Sequence, residues 1–266
     1  MNFPLRSKSI NKQHKAKIAL CFSGQPRFIE DGFPYILKNL IQNNEILVFA
    51  HLWHGSDITN KAYKFGGNGT WQNQRIRVNA VEQFRNLYNP VELLVEEPRN
   101  FKNSSIDFAE SINRYYPGSI SNPLEPDFRN RTINNMLSAF YSMSEVSKLK
   151  KKYEHSNDLI FDWVVRCRTD SQIQTKIKFE KFNPNFINYS GNQNQPDGMV
   201  NDWLNFGSSK NMDVFMNQYA TFEFLIEKTM SVNGGAASPE MIHRVNLDLH
   251  GISAQSHNIK ISLPRF

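Results

Sequence analysis

Lys17-Ile-Ala-Leu-Cys-Phe22, followed by Ser23-Gly24, is the first strong secondary-structure signal in this 266-residue chain. The short apolar run and its glycine stop favour a buried strand over a helix. Helical spacing of apolar residues follows over residues 32–43, and Ile46-Leu-Val-Phe-Ala50 is again typical of a strand. A strand, a glycine turn, a helix and a second strand form a βαβ unit, which predicts a parallel sheet with a right-handed crossover.

The remainder of the chain continues this alternation. Further helices are predicted over residues 78–87, 132–153, 209–230 and 239–250, and further strands over residues 91–95, 159–165, 199–206 and 259–263. Residues 55–75 are polar and rich in glycine, which predicts a loop. Residues 98–130 contain four prolines and no regular pattern, which predicts a functional excursion or lid. The sequence therefore predicts an α/β fold in which helices flank a central, mostly parallel sheet.

Two parts of unequal size are expected. Residues 1–16 are polar and basic, and we interpret them as a flexible, solvated tail, with a binding arm as the alternative. Residues 17–266 are predicted to form one domain, because the pattern after residue 130 completes a sheet that has already begun. No internal repeat is visible in this part.

Composition excludes several classes of protein. A hydrophobic content of 39% excludes a disordered chain. No apolar run approaches the roughly 20 residues of a transmembrane helix, and none near the amino terminus is typical of a signal peptide. Only two cysteines are present, Cys21 and Cys167, too few for a disulfide scaffold or structural zinc. We therefore expect a cytoplasmic location.

The net charge of +6 raises the possibility of a nucleic-acid partner. Part of that charge lies in the basic run over residues 148–152, at the end of the long predicted helix. Two interpretations are open for this run: a solvated helix end favoured by the helix dipole, or a patch that binds nucleic acid.

Polar clusters follow two of the first predicted strands, at the edge where open α/β sheets bind ligands. In Ser23-Gly24-Gln25-Pro26-Arg27, Gly24 permits close backbone approach and Arg27 suits a phosphate, although a plain turn explains the same residues. The spacing matches neither a dinucleotide fingerprint nor a P-loop. His51 and His54 form a second cluster, which is a candidate metal pair or a contact to a base or sugar.

The third cluster, Arg166-Cys-Arg-Thr-Asp170, ends a predicted central strand. If the strand persists, alternation places Arg166, Arg168 and Asp170 on one face. Two arginines beside one aspartate suit a phosphate-rich ligand bridged by a divalent cation. The alternative is a cluster of salt bridges that caps the sheet.

Several segments together resemble glycosyltransferases of the GT-A type, which occur in bacterial surface-polysaccharide clusters and in large phages and viruses. They are Ile18-Ala-Leu-Cys-Phe-Ser-Gly-Gln-Pro-Arg27, Val48-Phe-Ala-His-Leu-Trp53, Asn135-Met-Leu-Ser-Ala-Phe-Tyr-Ser142, Leu149 to Tyr153, Phe161-Asp-Trp-Val-Val-Arg-Cys-Arg-Thr-Asp170, Asn201-Asp-Trp-Leu-Asn-Phe-Gly-Ser-Ser209, Pro239-Glu240 and Leu249-His-Gly-Ile252. The resemblance covers nearly the whole chain from residue 17. It implies a single GT-A-like, Rossmann-like domain.

The resemblance also implies a nucleotide-diphosphate-sugar donor, bound across the first βα turn and the strand that ends at Asp170. The residues expected to bind it are Ser23, Gly24, Gln25, Arg27, His51, Arg166, Arg168 and Asp170. In GT-A enzymes a DxD motif holds the ribose and a Mn²⁺ or Mg²⁺ ion. Here Arg168-Thr169-Asp170 carries arginine in place of the first acid. Either Asp170 ligates the metal alone, or Arg168 takes over part of the neutralising role.

An inverting transferase also needs a base for the acceptor hydroxyl. Asp202 is the first candidate for this catalytic role, and Glu240 and Asp197 are weaker ones. The alternative for Asp202 is a simple pair with a neighbouring arginine. By the same resemblance, His257 or His250 would complete a metal shell. Trp71 lies in the glycine-rich loop and is a candidate to stack on an acceptor sugar, although the tryptophans of this chain are mostly expected in the core or on a sheet face.

The sequence therefore predicts a nucleotide-sugar-dependent glycosyltransferase that acts on a glycan or polysaccharide acceptor. No nucleic-acid partner is expected. Two alternatives stay open: a non-catalytic nucleotide- or nucleic-acid-binding α/β protein, and a degenerate transferase that binds its donor without turnover.

Overall fold

The computed structural model describes residues 16–42, 44–59, 76–101, 126–191 and 198–264, with side chains beginning at residue 134 in the fourth range. The predicted tail lies outside the described residues except for Ala16. Most of the predicted excursion, Trp71 and Asp197 also lie outside them. All structural statements below concern the described residues.

Seven strands form the central sheet. They are β1 (Lys17–Gly24), β2 (Glu45–Trp53), β3 (Glu92–Glu96), β4 (Trp163–Cys167), β6 (Ile187–Ser190), β7 (Leu204–Gly207) and β8 (Ala254–His257). Their order across the sheet is β3-β2-β1-β4-β7-β6-β8. Strand β7 runs antiparallel to both neighbours, and the other pairs are parallel. A separate antiparallel pair joins β5 (Gln172–Ile173) to β9 (Ile261–Ser262).

Six α-helices are described around this sheet. They are α1 (Ile29–Ile36), α2 (Ala80–Tyr88), α3 (Pro126–Ser156), α4 (Ser209–Met216), α5 (Phe222–Val232) and α6 (Pro239–Leu249). A π-helix (Leu37–Ile41) extends α1, and 3₁₀ turns lie at Phe179–Lys181 and Tyr219–Thr221. Within the described part of the chain, no helix is both long and apolar enough to cross a membrane.

Helices cover both faces of the sheet. Neighbouring residues of a strand point to opposite sides, so a buried strand can pack against helices on both faces. On one face, the Phe22 ring packs against Phe84 of α2, with 5.3 Å between ring centroids. On the other face, Phe49, which lies beside Cys21 in the register, packs against Tyr153 of α3 at 5.4 Å. The predicted α/β architecture, a mostly parallel sheet flanked by helices, is confirmed.

Several element boundaries differ from the prediction. The helix predicted over residues 209–230 is two helices, because Gln218 caps α4 by donating its side-chain amide to the Phe215 carbonyl at 2.6 Å. Strands β6 and β8 were not predicted, since neither Ile187–Ser190 nor Ala254–His257 contains an apolar run. The buried Asn188 satisfies its amide through main-chain carbonyls, among them that of Phe206, instead of lying in an apolar environment.

A fully buried lysine ties α3 to α4. The Nζ atom of Lys150 contacts Glu154 Oε2 at 2.8 Å, Asp213 Oδ1 at 2.8 Å and Ser209 Oγ at 2.6 Å. These contacts use all three ammonium donors. The prediction of a solvated basic helix end is therefore wrong for Lys150, and a nucleic-acid contact by this side chain is equally excluded. The neighbouring Lys151 is 55% exposed and lies 3.8 Å from Asp213.

Replacement of Lys150 by methionine is expected to lower the free energy of unfolding by about 3–5 kcal/mol, because two largely buried carboxylates lose their partner. The matched control is Lys151→Met, for which a change below about 1 kcal/mol is expected. Urea unfolding followed by circular dichroism measures both. Equal effects of the two substitutions would show that the buried ammonium does not stabilise the α3–α4 contact.

Candidate functional site

The candidate site lies where the order of strands reverses. Strand β1 pairs with β2 on one side and with β4 on the other, so the chain leaves β1 in one direction and later returns on the opposite side. The ends of β1 and β4 are therefore neighbours in the sheet, and the region at the loops that follow them, called the β1–β4 crevice below, is the place where open α/β sheets bind ligands. Ser23 and Gly24 end β1, and Arg166 lies near the end of β4.

The two loops are held against each other by a close backbone approach. A Cβ atom added to Gly32 of α1 would lie 2.3 Å from the carbonyl oxygen of Thr169, so only glycine fits there. The Thr169 hydroxyl oxygen lies 3.0 Å from the Arg27 carbonyl oxygen and 3.3 Å from that of Gln25. At Gly24 the backbone has φ +111° and the space around it is open, which only glycine tolerates easily. The loop after β1 is therefore fixed to the loop after β4.

Arg166 is buried at the floor of this crevice, with its side chain 4% exposed. Its Nε donates to Ser23 Oγ at 3.2 Å, whereas its Nη1 has no hydrogen-bond partner among the described residues and lies 3.9 Å from Asp202 Oδ2. Burial lowers the pKa of Arg166, and the negative charge of Asp202 opposes this shift. The guanidinium nevertheless stays charged, as it does in proteins generally. A buried charged donor without a hydrogen bond among the described residues is costly, which makes this atom a candidate contact for a ligand or water.

Arg168 and Asp170 form a two-pronged ion pair. Arg168 donates from Nε to Oδ1 at 2.9 Å and from Nη2 to Oδ2 at 2.8 Å. Burial raises the pKa of Asp170, but Arg168 and the charge of Arg27 outweigh it, so the net pKa is lowered. The salt-bridge interpretation is confirmed for this pair. The expected common face of Arg166, Arg168 and Asp170 is wrong in detail, because β4 ends at Cys167 and strand alternation stops there.

A second set of polar side chains, from β7 and α6, lies near Arg166. Asn205 of β7 pairs in register with Arg166, and Glu240 and His243 lie one helical turn apart on α6. Asn205 Oδ1, Glu240 Oε2 and His243 Nε2 are buried and have no hydrogen-bond partner among the described residues. Together with Arg166 and Asp202, these three residues are called the β4–β7–α6 cluster below.

The charges of Asp202 and Arg166 affect the pKa values of the titratable residues in this cluster. Burial, reinforced by the charge of Asp202, raises the pKa of Glu240. Burial lowers the pKa of His243 to about 3, with Asp202 opposing and Arg166 adding to this effect. His243 is therefore neutral at neutral pH and Glu240 binds a proton more readily than an exposed glutamate. The cluster offers mixed donors and acceptors to a polar ligand.

The sequence predicted this cluster only in part. Asp202 and Glu240 were candidates for the base, whereas Asn205 and His243 were missed. The Ser238-Pro239-Glu240 helix start was recognisable, and it places residue 243 on the same helical face as Glu240. The role of Asn205 depends on its pairing with Arg166, for which the sequence carries no signal.

Both ring nitrogens of His51 have partners within the protein. His51 is fully buried, with Nδ1 at 2.7 Å from Ser142 Oγ and Nε2 at 2.8 Å from Glu96 Oε2. Burial lowers the pKa of His51 although Glu96 opposes this. Contact with a ligand would require one of these bonds to break, so His51 joins β2 to β3 and α3. His54 Nε2 lies at 3.2 Å from the Arg77 carbonyl oxygen.

The two late histidines are also engaged elsewhere. His257 Nε2 lies 2.8 Å from Asn188 Oδ1, at the β8 edge of the sheet. His250 Nδ1 lies 2.8 Å from the Asn246 carbonyl oxygen, at the end of α6. In the described ranges, no three His, Cys, Asp or Glu side chains are grouped as a metal ion would need.

The metal ion that the resemblance implies does not fit the donor set at Asp170. Hard cations such as Mn²⁺ and Mg²⁺ need available carboxylate oxygens. Both oxygens of Asp170 accept from Arg168, and Arg27 adds a second positive charge nearby.

Comparison with known proteins gives no indication of the function. No protein-family model matches the chain, and no curated protein matches it. The arginines of the crevice and the β4–β7–α6 cluster are therefore the features from which a function can be inferred.

His243 makes stability depend on acid in a measurable way. The unfolded side chain titrates near pH 6.5 and the folded one near pH 3, so below pH 6.5 the unfolded chain binds more protons. The free energy of unfolding is expected to fall with decreasing pH by up to about 1.4 kcal/mol per unit from this group. His243→Gln removes that contribution.

Urea unfolding between about pH 4 and pH 6.5 compares the slopes of wild type and variant, because the contributions of other groups cancel in the difference. His155→Gln, at an exposed position near the end of α3, is the matched control. An unchanged slope in the His243 variant would contradict the buried, neutral imidazole.

Proposed function

We propose that this chain is a glycosyltransferase that moves a sugar from a nucleotide-diphosphate-sugar donor to a glycan or polysaccharide acceptor. The observation that carries the proposal is the set of arginines at the β1–β4 crevice: Arg166 with a buried Nη1 lacking a hydrogen bond, Arg168, and Arg27. Guanidinium groups bind phosphate oxygens in pairs and stay charged when buried. The resemblance to GT-A enzymes supports the same class of ligand.

The proposed donor lies across the two loops. Its nucleotide follows the loop after β1, where Gly24 leaves the backbone open and where Ser23 and Gln25 lie. Its diphosphate meets Arg166 and Arg168. The sugar then extends towards the β4–β7–α6 cluster, whose mixed donors and acceptors suit sugar hydroxyls.

Transfer requires one bond to form and one to break at the anomeric carbon. The acceptor oxygen forms the new bond, while the bond to the phosphate oxygen breaks and its electron pair stays on the departing diphosphate. The arginines stabilise that charge. The proton of the acceptor hydroxyl passes to a carboxylate in an inverting transfer. Asp202, 28% exposed and partly committed to Arg166, and Glu240, with its unbonded Oε2, are the two carboxylates in position.

A cytoplasmic location is part of the proposal. Cys21 and Cys167 are both buried and free, which is the usual state of cysteines in a reducing compartment.

Nucleotide binding is tested by thermal shift with UDP-, GDP- and TDP-sugars. At least one donor at about 100 times its Kd is expected to add about 2.7 kcal/mol of stability, a rise in Tm of a few degrees. Arg27→Gln should lose most of this rise, whereas the exposed Arg85→Gln is the control. Salt-sensitive binding to random duplex DNA, with no shift from any nucleotide, would instead support the nucleic-acid alternative.

The base is identified by Asp202→Asn and Glu240→Gln, assayed with the donor found by thermal shift. The variant that lacks the base is expected to lose about 10²- to 10⁴-fold in kcat while still binding donor. Glu240→Gln should also raise the free energy of unfolding at neutral pH. The pKa of Glu240 is raised in the folded chain, so the folded chain loses stability when this side chain ionises as pH rises, and glutamine does not ionise. Full transfer by both variants would refute both assignments.

A further inference from the structure

Asp170 differs from a metal ligand because both of its carboxylate oxygens accept hydrogen bonds from Arg168. This difference favours arginine over a metal ion as the group that neutralises phosphate here. Asp170 is 4% exposed on its side chain, and its two oxygens face the guanidinium of Arg168 at 2.8 and 2.9 Å. This fork-to-fork geometry is the same that a guanidinium adopts on two phosphate oxygens. A cation bound to Asp170 would sit beside Arg168 and be repelled by it.

Other carboxylates near the crevice do not offer a replacement. Asp202 lies 3.9 Å from Arg166 Nη1, and burial raises the pKa of Glu240, which disfavours the ionised form that a cation needs. Positive charge exceeds negative charge here, since Arg27, Arg166 and Arg168 face Asp170 and Asp202. The crevice is therefore already cationic without an added ion.

We propose that Arg166 and Arg168, and not a divalent cation, neutralise the diphosphate of the donor in this chain. The inference rests on the proposed function. When the bond between the anomeric carbon and the phosphate oxygen breaks, the electron pair stays on that oxygen and the diphosphate gains one negative charge. Arg166 Nη1, which has no hydrogen-bond partner in the described part of the chain, and the fork of Arg168 receive that charge.

Asp170 is then a positioning residue. It holds the Arg168 fork in place before the donor binds, and two phosphate oxygens replace or share its contacts afterwards. Thr169, between the two, fixes the segment by its hydroxyl to the Arg27 carbonyl oxygen at 3.0 Å. The arrangement explains why arginine stands where the DxD pattern has its first acid.

Calorimetric titration of the full chain with UDP, GDP and TDP, in EDTA and in MnCl₂, tests the inference. The nucleoside diphosphate that binds best is expected to have Kd values within about threefold of each other in the two buffers. MnCl₂ alone should give no saturable heat. A Kd that falls by about tenfold or more with Mn²⁺ would overturn the inference while leaving the proposed function intact. Failure of every diphosphate in both buffers would overturn both.

Substitutions at the pair sharpen the test. Arg168→Gln should weaken binding in EDTA by about tenfold to a hundredfold, with Arg85→Gln as the control. Asp170→Asn should retain binding in EDTA within about tenfold, because it disturbs only the orientation of Arg168. Circular dichroism confirms that each variant is folded.

Arg168→Asp supplies the reverse experiment, since it restores an acid at both ends of the motif. This variant should lose binding in EDTA and recover it with Mn²⁺, because two carboxylates without the guanidinium can hold a cation. If the wild-type chain and Arg168→Asp respond identically to Mn²⁺, the arginine does not take the place of the ion.

Discussion

The close contact between Gly32 and Thr169 is the constraint on which the candidate site depends. With a Cβ at residue 32 only 2.3 Å from the Thr169 carbonyl oxygen, helix α1 could not reach its position over the loop after β4. The pairing of β1 with β4 brings the strand ends together, but a strand pairing does not orient the loops beyond it. The Thr169 hydroxyl and the Gly32 contact together fix Arg27 relative to Arg168 and Asp170.

Two buried cations on the α3 side of the sheet differ in how their donors are satisfied. Lys150 has each of its three donors on a partner, and it is closed off from any ligand. Arg166 has a comparable burial but an Nη1 without a hydrogen bond, in a cluster with three other unbonded polar atoms. A buried polar atom without a hydrogen bond is destabilising, and such atoms are expected mainly at functional sites. Buried atoms without partners therefore indicate the candidate site better than charge alone does.

The position of the arginines and the aspartate at the end of β4 could be predicted from the sequence, because a charged run directly after an apolar run is a local pattern. Their geometry could not be predicted. The strand ends at Cys167 and a turn follows, so Arg168 pairs with Asp170 while Arg166 turns towards Ser23 and Asp202. The partners of His51 could not be predicted either: its place near a strand end predicted a ligand contact, and in the structure its two ring nitrogens lie within hydrogen-bond distance of Ser142 and Glu96.

By itself the sequence determined the α/β class and the strands β1, β2 and β4, because apolar runs of strand length and their polar ends are local properties. It also determined which segments carry the arginines. The tertiary structure decided the rest: strands β6 and β8, whose polar residues are satisfied only by distant partners, and the assembly of Asn205, Glu240 and His243 around Arg166. The physical reason is that burial and hydrogen-bond satisfaction are set by contacts between residues far apart in the chain, which no local pattern records.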